Sequence, residues 1–556
     1  MKTKHILALL IFIALTVFVT WPLILHPVSL TVAAKDEFHL SYLMNWNIYS
    51  FTSKLNNIFQ VPFFHPLKDT LAFSDPLFTS SFLALPLVKI FQQPFLAYSF
   101  NVFLAFILNG FFTYLAVYQL SKNWSAGLIS GILFSFSVGR IDTLEHLQVL
   151  IMYWLPLGIY CFLKFTSSRK NYWALLLVIC WLLQIFNTVF LGYVYIFALS
   201  IFTLIYFWQK QITKKMLLVL IKYFILALVI VAIIFQPYFR VARTWQAGRS
   251  LNDVFSGSSY FLEYFYPTQN SRLADLAEKI IIKHPWPSYL GAIVSISGLL
   301  TIIKLWRLPQ AWAPLSIFFT GLVMSFGPYF QLIKQKLSIP LPLPYWFTYY
   351  LIPGFKSMRV PQRWSHLALL GLALLIGLGL SRWFKKLKPK LVALLSVFII
   401  TLVIGEIRLP LFSVSVPVKR EIPAVYQWLV KQPASIVLEL PIQTWVMPLS
   451  GLEIKRLYYH SFLLAANHAF INGYSSFEPP AYTKEISIFR TLLPDEAINW
   501  LKIQKINLLI VHKMEMQELY QKDQEALPLK LTLETIETKG CFIRVYDDED
   551  TSVYQI

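Results

Sequence analysis

Long apolar runs separated by short basic breaks constrain this chain more than any other feature of its sequence. The runs cover residues 6–25, 97–120, 124–139, 150–166, 172–188, 190–208, 217–237, 287–305, 312–330, 364–382 and 391–408. A helix of about 20 residues crosses a hydrocarbon core about 30 Å thick, so these runs predict membrane spans. Only 14% of the residues are charged, where a soluble domain carries about 25%. We therefore expect a polytopic α-helical membrane protein with about 11 to 13 transmembrane helices.

The basic residues indicate on which side of the membrane each break lies. They cluster as Lys2 and Lys4, Lys122, Lys164 with Arg169 and Lys170, Lys210 with Lys214 and Lys215, Lys304 with Arg307, and Arg382 through Lys390. The positive-inside rule places these breaks and the N-terminus in the cytoplasm. The run 77–94 does not fit this alternation, so we interpret it as a re-entrant or interfacial helix. The first run resembles a signal peptide without a clear cleavage site, and we expect it to remain as an anchor.

The last part of the chain, 411–556, differs in kind, with 14 basic and 17 acidic residues. Its pattern predicts helices at 423–431, 494–503 and 514–526 and strands at 435–439, 506–512, 529–537 and 541–547. We expect a multi-spanning membrane domain over 1–410, with a first outer loop at 26–75, followed by a C-terminal extracytoplasmic α/β domain over 411–556.

Two adjacent carboxylates, Asp36 and Glu37, open a predicted helix in the first outer loop. A carboxylate at a dry membrane boundary has a raised pKa and can take a proton from an acceptor hydroxyl. Alternatively, Asp36 caps the helix, which is a common role for aspartate. Asp75 closes the same loop, and it is either a second site residue or the cap of the next helix.

Two further polar groups lie in breaks that the topology places outside. Arg140, His146 and Gln148 stand between two apolar runs, and any loop between spans needs polar residues. Lys356, Arg359 and Arg363 lie in a proline-rich outer loop against the positive-inside trend. Cations in that position favour a phosphate or lipid headgroup as partner; snorkelling to the lipid surface is the alternative.

The segment 472–480 of the outer domain is rich in turn-forming residues and carries Tyr474. It suits a loop facing a sugar or lipid, or it is only a structured turn. The three cysteines exclude a disulfide scaffold and a cysteine-rich zinc site. A divalent metal bridging Asp36 and Asp75 stays open, because sequence spacing does not decide it.

Several motifs together resemble the GT-C glycosyltransferase superfamily over nearly the whole chain. They are Asp36 with Trp46-Asn47, Phe64-His65-Pro66, Leu71-Ala72-Phe73-Ser74-Asp75, Arg140 with His146-Leu147-Gln148, Trp154-Leu155-Pro156, the loop 353–363, Val437-Leu438-Glu439-Leu440-Pro441 and the segment 472–480. The chain resembles most a bacterial group of GT-C-like membrane proteins, and more distantly protein O-mannosyltransferases and lipid A sugar transferases. The resemblance implies the bacterial cytoplasmic (inner) membrane as its location.

The resemblance also implies a polyprenyl-phosphate sugar as donor and an acidic residue of the first outer loop as base. That residue maps onto Asp36, with Glu37 beside it as the alternative. In such loops a glycine commonly precedes the acid, whereas Lys35 stands here. The resemblance supports a place near the site for Asp75, for the Arg140 group (Arg140, His146 and Gln148) and for the loop that carries Lys356, Arg359 and Arg363. It does not assign their roles.

The residues point to the same reaction independently. The short cytoplasmic breaks cannot house a nucleotide-sugar domain, so a lipid-linked hexose or pentose is the expected donor. The hypothesis is inversion at the sugar carbon, with Asp36 accepting the acceptor proton and Lys356, Arg359 or Arg363 neutralising the departing lipid phosphate. The acceptor is an extracytoplasmic lipid, glycan or protein. The alternatives are a lipid or glycan transporter and a non-catalytic assembly factor for envelope glycans. Spans nearly free of acids, with no internal repeat, favour the transferase.

Overall fold

The computed structural model describes residues 2–277, 288–333, 337–444, 450–489, 495–523 and 528–556. The chain forms two compact units, each assembled from separate parts of the sequence. Unit 1 contains Met1–His26, Phe100–Ile234 and Gly248–Ser413, and unit 2 contains Pro27–Ser99, Phe235–Ala247 and Val414–Ile556. Unit 2 therefore combines the first outer loop with the C-terminal segment.

Helices make up most of unit 1 and also occur throughout unit 2. In chain order they are α1 (Lys2–Val19), α2 (Asp36–Ser53), α3 (Phe78–Phe91), α4 (Leu96–Ser121), α5 (Trp124–Phe136), α6 (Val138–Ile141), α7 (Leu147–Leu150), α8 (Trp154–Ser168), α9 (Asn171–Ile185), α10 (Val189–Trp208), α11 (Lys214–Ile234), α12 (Gln236–Thr244), α13 (Leu251–Ser256), α14 (Ala274–Ala277), α15 (Ala292–Leu305), α16 (Pro309–Ser325), α17 (Pro344–Leu351), α18 (Ser365–Phe384), α19 (Pro389–Glu406), α20 (Ala424–Leu429), α21 (Ser450–His460), α22 (Pro480–Ile486), α23 (Asp495–Ile503), α24 (Lys513–Lys522) and α25 (Leu529–Thr538).

Six helical stretches of the described chain are long and apolar enough to cross a membrane. They are Leu96–Ser121, Leu147–Ser168, Val189–Trp208, Lys214–Ile234, Pro361–Phe384 and Pro389–Glu406. The shorter apolar helices are Thr3–Val19, Phe78–Phe91, Trp124–Phe136, Asn171–Ile185 and Ala292–Leu305. The sequence thus predicts a helix-rich, multi-pass membrane protein correctly, while the number of spans stays a prediction.

The short basic breaks become tight turns between helices. Lys122, Arg169 and Lys210 each adopt a left-handed backbone, with φ of 55°, 57° and 58°. At the end of α8 the amide of Arg169 donates to the carbonyl of Phe165, as in a left-handed helix cap. A left-handed residue in each break therefore helps the chain to turn within two to five residues.

Small residues allow close helix packing inside unit 1. A Cβ at Gly321 of α16 would lie 2.3 Å from the backbone nitrogen of Ala368 in α18. Along the same contact, a Cβ at Gly371 would lie 2.6 Å from the backbone nitrogen of Phe318. Close backbone approach at small residues is the usual way in which helices associate in lipid, where burial of apolar surface gives no driving force.

Strands occur in both units. They are β1 (Leu30–Thr31), β2 (Tyr329–Ile333), β3 (Leu337–Pro342), β4 (Val414–Ser415), β5 (Ile436–Leu440), β6 (Ala469–Phe470), β7 (Leu508–His512), β8 (Ile543–Asp547) and β9 (Thr551–Gln555). The main sheet of unit 2 has the order β6-β5-β7-β9-β8. Strand β5 pairs in parallel with β6 and β7, and β9 pairs antiparallel with β7 and β8. In unit 1, β2 and β3 pair antiparallel.

The strand predicted at 529–537 is wrong, because Leu529–Thr538 is the helix α25. The alternation of Leu529, Leu531 and Leu533 suggests a strand, but the buried residues are Thr532 and Ile536, four positions apart. Strand β9 was not predicted, since its residues are partly polar although Thr551–Tyr554 are buried. Residues 287, 494 and 524–526, which end or begin predicted helices, lie outside the described residues.

Helix α2 positions the predicted site residues of unit 2. Its apolar residues Leu40, Leu43, Trp46 and Phe51 predict a helix suited to lying at the membrane surface. Instead, most of its residues are buried, including the polar Asn45, Asn47 and Ser50. The amides of Asn45 and Asn47 donate to the carbonyls of Pro94 and Pro76, so hydrogen bonds fix the helix within unit 2.

Candidate active site

The structure separates the two adjacent carboxylates at the start of α2. Glu37 is fully buried, and its carboxylate accepts hydrogen bonds from the Thr31 hydroxyl at 2.9 Å and from the amides of Ala33 and Lys35 at 2.9 and 2.8 Å. Burial raises the pKa of Glu37, and these hydrogen bonds oppose that rise. Glu37 therefore ties the preceding loop to the first turn of the helix, a structural role that sequence spacing did not reveal.

Asp36 is partly exposed, unlike its neighbour. The hydroxyl of Tyr474 donates to Asp36 Oδ1 at 3.4 Å. The ring of Tyr474 also meets His39 edge to face, with centroids 5.4 Å apart. Two predicted residues that are far apart in sequence, Asp36 and Tyr474, therefore come together in unit 2.

His39 completes this group, and the sequence analysis did not select it. Its side chain is 3% exposed, and its Nε2 has no hydrogen-bond partner among the described residues. Burial lowers the pKa of His39 to about 4, although the charge of Asp36 partly opposes this, so the ring is neutral at pH 7. The available signal was its spacing, since residues three apart share one helix face.

The segment 472–477 brings Tyr474 to this position. The Asn472 side chain binds the backbone of Glu439 in β5 twice, accepting from its amide at 2.7 Å and donating to its carbonyl at 2.9 Å. Gly473 is required by close packing, because a Cβ there would lie 2.7 Å from the ring of Phe64. Beyond Tyr474, the amide of Phe477 donates to the carbonyl of Phe73 at 2.9 Å.

The same segment extends towards the predicted residue Asp75. The hydroxyls of Ser476 and Ser74 are 3.3 Å apart, and Tyr238 donates to the carbonyl of Ser74 at 2.8 Å. Asp75 is partly exposed, and its charge acts on Tyr238. Asp75 therefore comes directly after Phe73 and Ser74, which the 472–477 segment contacts.

Arg140 is the buried cation of the second predicted group, which belongs to unit 1. It is fully buried, and its guanidinium donates to the carbonyls of Leu150 and, at 3.4 Å, Val149. It also lies 5.2 Å from the ring centroid of Phe134. No carboxylate of the described chain pairs with it, and burial lowers the pKa of Arg140 to about 9. A buried cation without a counter-charge is costly unless an anion joins it.

His366 lies near three of the predicted polar residues of unit 1. Its ring is close enough to Arg140, His146 and Arg363 for their charges to act on it. It is 2% exposed, and neither ring nitrogen has a hydrogen-bond partner in the described part of the chain. The sequence analysis missed His366 because it begins an apolar span; its place three residues after Arg363 was the available signal.

Three other predicted residues of unit 1, Gln148, Lys356 and Arg359, lie in different surroundings. The Oε1 atom of Gln148 is buried without a hydrogen-bond partner among the described residues. Lys356 is exposed and lies over the rings of Tyr349 and Tyr350, at 5.6 and 5.5 Å. Arg359 acts electrostatically on Arg249 instead. Of the three cations in the proline-rich loop, only Arg363 joins the Arg140 group.

A metal ion has no ready set of ligands in the parts of the chain that the structure describes. No group of three or more histidine, cysteine or acidic side chains there is arranged to hold one. Asp36 and Asp75 carry carboxylate oxygens of the kind that suits a divalent cation, but neither belongs to such a group among the described residues.

No protein-family model matches this chain, and a search of curated proteins finds no match either. Among solved structures, the chain is similar to crystal structures of the oligosaccharyltransferase of Archaeoglobus fulgidus. The complex of that enzyme with Zn and sulfate has a TM-score of 0.52 at 13% identity, covering 99% of this chain and 72% of that chain. The apo form has a TM-score of 0.50 at 12% identity, covering 99% and 74%.

At such low identity the likeness concerns the fold. The chain has the multi-pass, helix-rich architecture with a C-terminal sheet that these solved structures share. The GT-C resemblance of the sequence is consistent with that fold, and membership of the superfamily stays a prediction. The bacterial group and the number of spans stay predictions.

Proposed function

We propose that this protein is a membrane glycosyltransferase that moves a sugar from a polyprenyl-phosphate-linked donor to an extracytoplasmic acceptor. The fold supports this proposal, since the similar solved structures are of an oligosaccharyltransferase. The short basic breaks support it too, because they leave no cytoplasmic room for a nucleotide-sugar domain. The protein would lie in a bacterial cytoplasmic membrane, with its N-terminus inside and its C-terminal domain outside.

The contact between Asp36 and Tyr474 carries the proposal. Asp36 is the carboxylate at the start of α2 that keeps some exposure, while Glu37 is buried in hydrogen bonds of its own. Asp36 is thus the proposed base, and Glu37 a residue that holds the loop before it. Tyr474 and the neutral His39 orient the carboxylate, and Asp75 is a further substrate-binding candidate.

In the proposed reaction, Asp36 accepts the proton of the acceptor hydroxyl or amide as the acceptor attacks the sugar carbon. The new bond joins that carbon to the acceptor, and the bond to the donor phosphate breaks with its electron pair going to the phosphate oxygen. The leaving group is an anion, so no second acid has to protonate it, unlike in a glycosidase. Positioned proton transfer of this kind contributes about 10²- to 10⁴-fold in rate.

The Arg140 group of unit 1 is a candidate binding site for a phosphate such as that of the donor. Arg140 and Arg363 would bind the phosphate oxygens, and His366 and Gln148 would donate or accept hydrogen bonds beside them. An arginine is suited to this role because its planar guanidinium binds phosphate in a bidentate manner. Lys356 and Arg359 are left for lipid or headgroup contacts, with His146 at the edge of the group.

A divalent metal is a separate possibility that we route no step through. One similar structure is a complex with Zn and sulfate. In this chain, Asp36 and Asp75 are the carboxylates that could contribute to such a site. Chelation with EDTA followed by addition of Mg²⁺, Mn²⁺ or Zn²⁺ tests whether transfer depends on an ion.

The deciding experiment measures transfer of radiolabelled sugar from a panel of polyprenyl-phosphate sugars in proteoliposomes that contain a membrane extract as acceptor source. Asp36→Asn removes the proton acceptor while preserving shape, and we expect it to lower transfer by at least about 10²-fold. Glu485→Gln is the matched control, since it neutralises an exposed carboxylate of the same unit, and it should leave transfer unchanged. Thermal unfolding of both variants verifies that each is folded.

The outcomes separate the proposal from its alternatives. Transfer by the parent protein that Asp36→Asn removes supports the base assignment. Transfer that Asp36→Asn leaves intact rejects Asp36 as the base while keeping the enzyme. No transfer from any donor rejects the transferase and favours the transporter or the assembly factor.

A further inference from the structure

A pocket of 180 Å³ opens in unit 2, away from the Asp36–Tyr474 contact. It is formed by the second half of α2, residues 57–65 and residues 464–469. Because a helix rises 1.5 Å per residue, Lys54 at the pocket is about 27 Å along the helix axis from Asp36. The pocket is therefore a separate feature that the proposed reaction does not use.

The charge of Lys54 in this pocket is not neutralised. Its ammonium group donates to the amide oxygen of Asn467, which also accepts from the Tyr49 hydroxyl at 3.3 Å. Among the described residues, no carboxylate forms an ion pair with Lys54. No acidic residue lines the pocket either. The pocket thus offers one positive charge to an incoming group.

The rest of the lining combines hydrogen-bonding groups with aromatic rings. Trp46 is fixed by its ring nitrogen, which donates to the carbonyl of Ile58 at 2.7 Å. Gln60 stabilises the rim, donating to the carbonyl of Leu67 at 2.7 Å and accepting from the amide of Asp69 at 3.2 Å. Burial lowers the pKa of His65, so at pH 7 its ring is neutral, with one donor and one acceptor nitrogen.

We infer that this pocket binds a single sugar residue that carries a carboxylate or a phosphate. A sugar ring has an apolar face for an aromatic wall and hydroxyls that need both donors and acceptors, which Asn57, Asn467 and His65 provide. The anionic group pairs with Lys54. The volume is below the roughly 300–1,000 Å³ of sites for drug-sized ligands, so it suits one ring rather than an oligosaccharide.

This inference goes beyond the proposed function and does not depend on it. A second sugar-binding site on unit 2 would hold an acidic glycan by one residue while another part of the same molecule reacts or is transported. It would therefore serve a transferase, a transporter or an assembly factor equally. The source of the negative charge, carboxylate or phosphate, is left to the test.

The test is ligand-observed NMR binding with the full chain in detergent micelles, using glucuronate, glucose 6-phosphate, glucose and inorganic phosphate as probes. We expect at least one of the two anionic sugars to bind and Lys54→Gln to weaken it about tenfold, since a charge-assisted bond is lost. Glutamine still donates to Asn467, so this variant keeps the local structure. Lys68→Gln is the control, because Lys68 is exposed on the same loop outside the pocket, and it should change binding less than twofold.

Each possible result either supports or overturns the proposed sugar-binding site. Binding of only one anionic sugar supports the site and identifies its charged group. Equal binding of glucose, or equal competition by inorganic phosphate, overturns the assignment of an anionic sugar. Absence of binding, or equal weakening by Lys54→Gln and Lys68→Gln, overturns the site.

Discussion

Among the described residues, two arginines are almost completely buried, one in each unit, and their surroundings are opposite. Arg456 of unit 2 is 1% exposed and faces three carboxylates, those of Glu453 at 3.0 Å, Glu439 at 3.6 Å and Glu515. Arg140 of unit 1 is equally buried, yet it faces only carbonyl oxygens and an aromatic ring within the described chain. The positive charge of the arginine is thus balanced by carboxylates in unit 2, whereas in unit 1 the described residues provide no counter-charge.

The two arginines differ in whether carboxylates balance their positive charge. Burial alone would lower the pKa of Arg456, but the charges of Glu515, Glu453 and Glu439 raise it above its usual value. Around the same network, Glu439 accepts hydrogen bonds from His460, His512 and Tyr426 at 2.6 to 2.7 Å. A buried cation whose charge is balanced by carboxylates in this way needs no further anion. Arg140 lacks such carboxylates within the described chain, and it is therefore the one of the two that the proposed function assigns to an anion.

The largest effect should follow removal of Arg456. Arg456→Met leaves the buried carboxylates of Glu439 and Glu453 without this cation, and breaking a buried ion pair on one side costs about 3–5 kcal/mol. We expect the free energy of unfolding of unit 2 to fall by that amount, measured by hydrogen exchange of the β7 amides in the full chain. Arg420→Met, which alters an exposed arginine of the same unit, should change it by less than about 1 kcal/mol. A loss that small for Arg456→Met would contradict the structural role.

Arg140 should show the reverse behaviour. Arg140→Met removes a buried charge that has no protein counter-charge, so stability should stay the same or rise. If the parent protein transfers sugar, the variant should lose about 10²- to 10³-fold, as when one donor to a developing oxyanion is removed. Transfer rates and thermal unfolding of the same preparations check both parts. Arg272→Met alters an exposed arginine of unit 1 and should change neither, whereas an unfolded Arg140→Met would break the comparison.

The sequence predicts what local patterns encode. Apolar runs and basic breaks predict the helices of unit 1 well, because lipid requires long apolar stretches with internally bonded backbones. In the C-terminal segment, β5 and β7 were predicted because buried parallel strands are apolar runs. The region 440–493 was left without elements, although it contains α21, β6 and α22. The contacts that define those elements involve distant parts of the chain, such as that of Phe470 in β6 with Pro62.

For the candidate site, the sequence suggests the residues but not their grouping. Asp36 and Tyr474 were both selected, yet their contact arises only because the 472–477 segment packs along the first outer loop. Asp36 and Glu37 look equivalent in sequence, and only the bonds from Thr31, Ala33 and Lys35 separate them. His366 and His39 are buried polar residues in helices, and burial cannot be read from their spacing alone.

The pH dependence of unit 2 gives a smaller test of its network. Burial raises the pKa of Glu453 to about 7 from an ordinary value of 4.5, despite its pairing with Arg456. An acid with a raised pKa keeps its proton in the folded state after the unfolded state has lost it, so its contribution to stability falls as pH rises. We expect Glu453→Gln to gain about 2 kcal/mol over the parent protein between about pH 5 and pH 7. Hydrogen exchange across this range, with Glu485→Gln as control, measures the gain; a constant difference would reject the protonated Glu453.

The smallest effect should come from a third arginine, which is exposed and paired. In unit 2, Arg240 binds both carboxylate oxygens of Asp69 at 2.8 Å, and its side chain is 57% exposed. Water screens such a pair, so even this bidentate geometry is worth at most about 1 kcal/mol. Asp69→Asn should therefore lower the free energy of unfolding of unit 2 by less than about 1 kcal/mol, and the difference should shrink as salt is raised from about 0.01 to 1 M. A loss comparable to that of Arg456→Met would mean that the exposure of an arginine does not predict how much its ion pairs stabilise unit 2. The other explanation would be that the charge of Asp69 holds this residue in its left-handed conformation, with φ of 58°. Asp69→Gly separates these explanations, because glycine adopts that backbone without strain while also removing the ion pair.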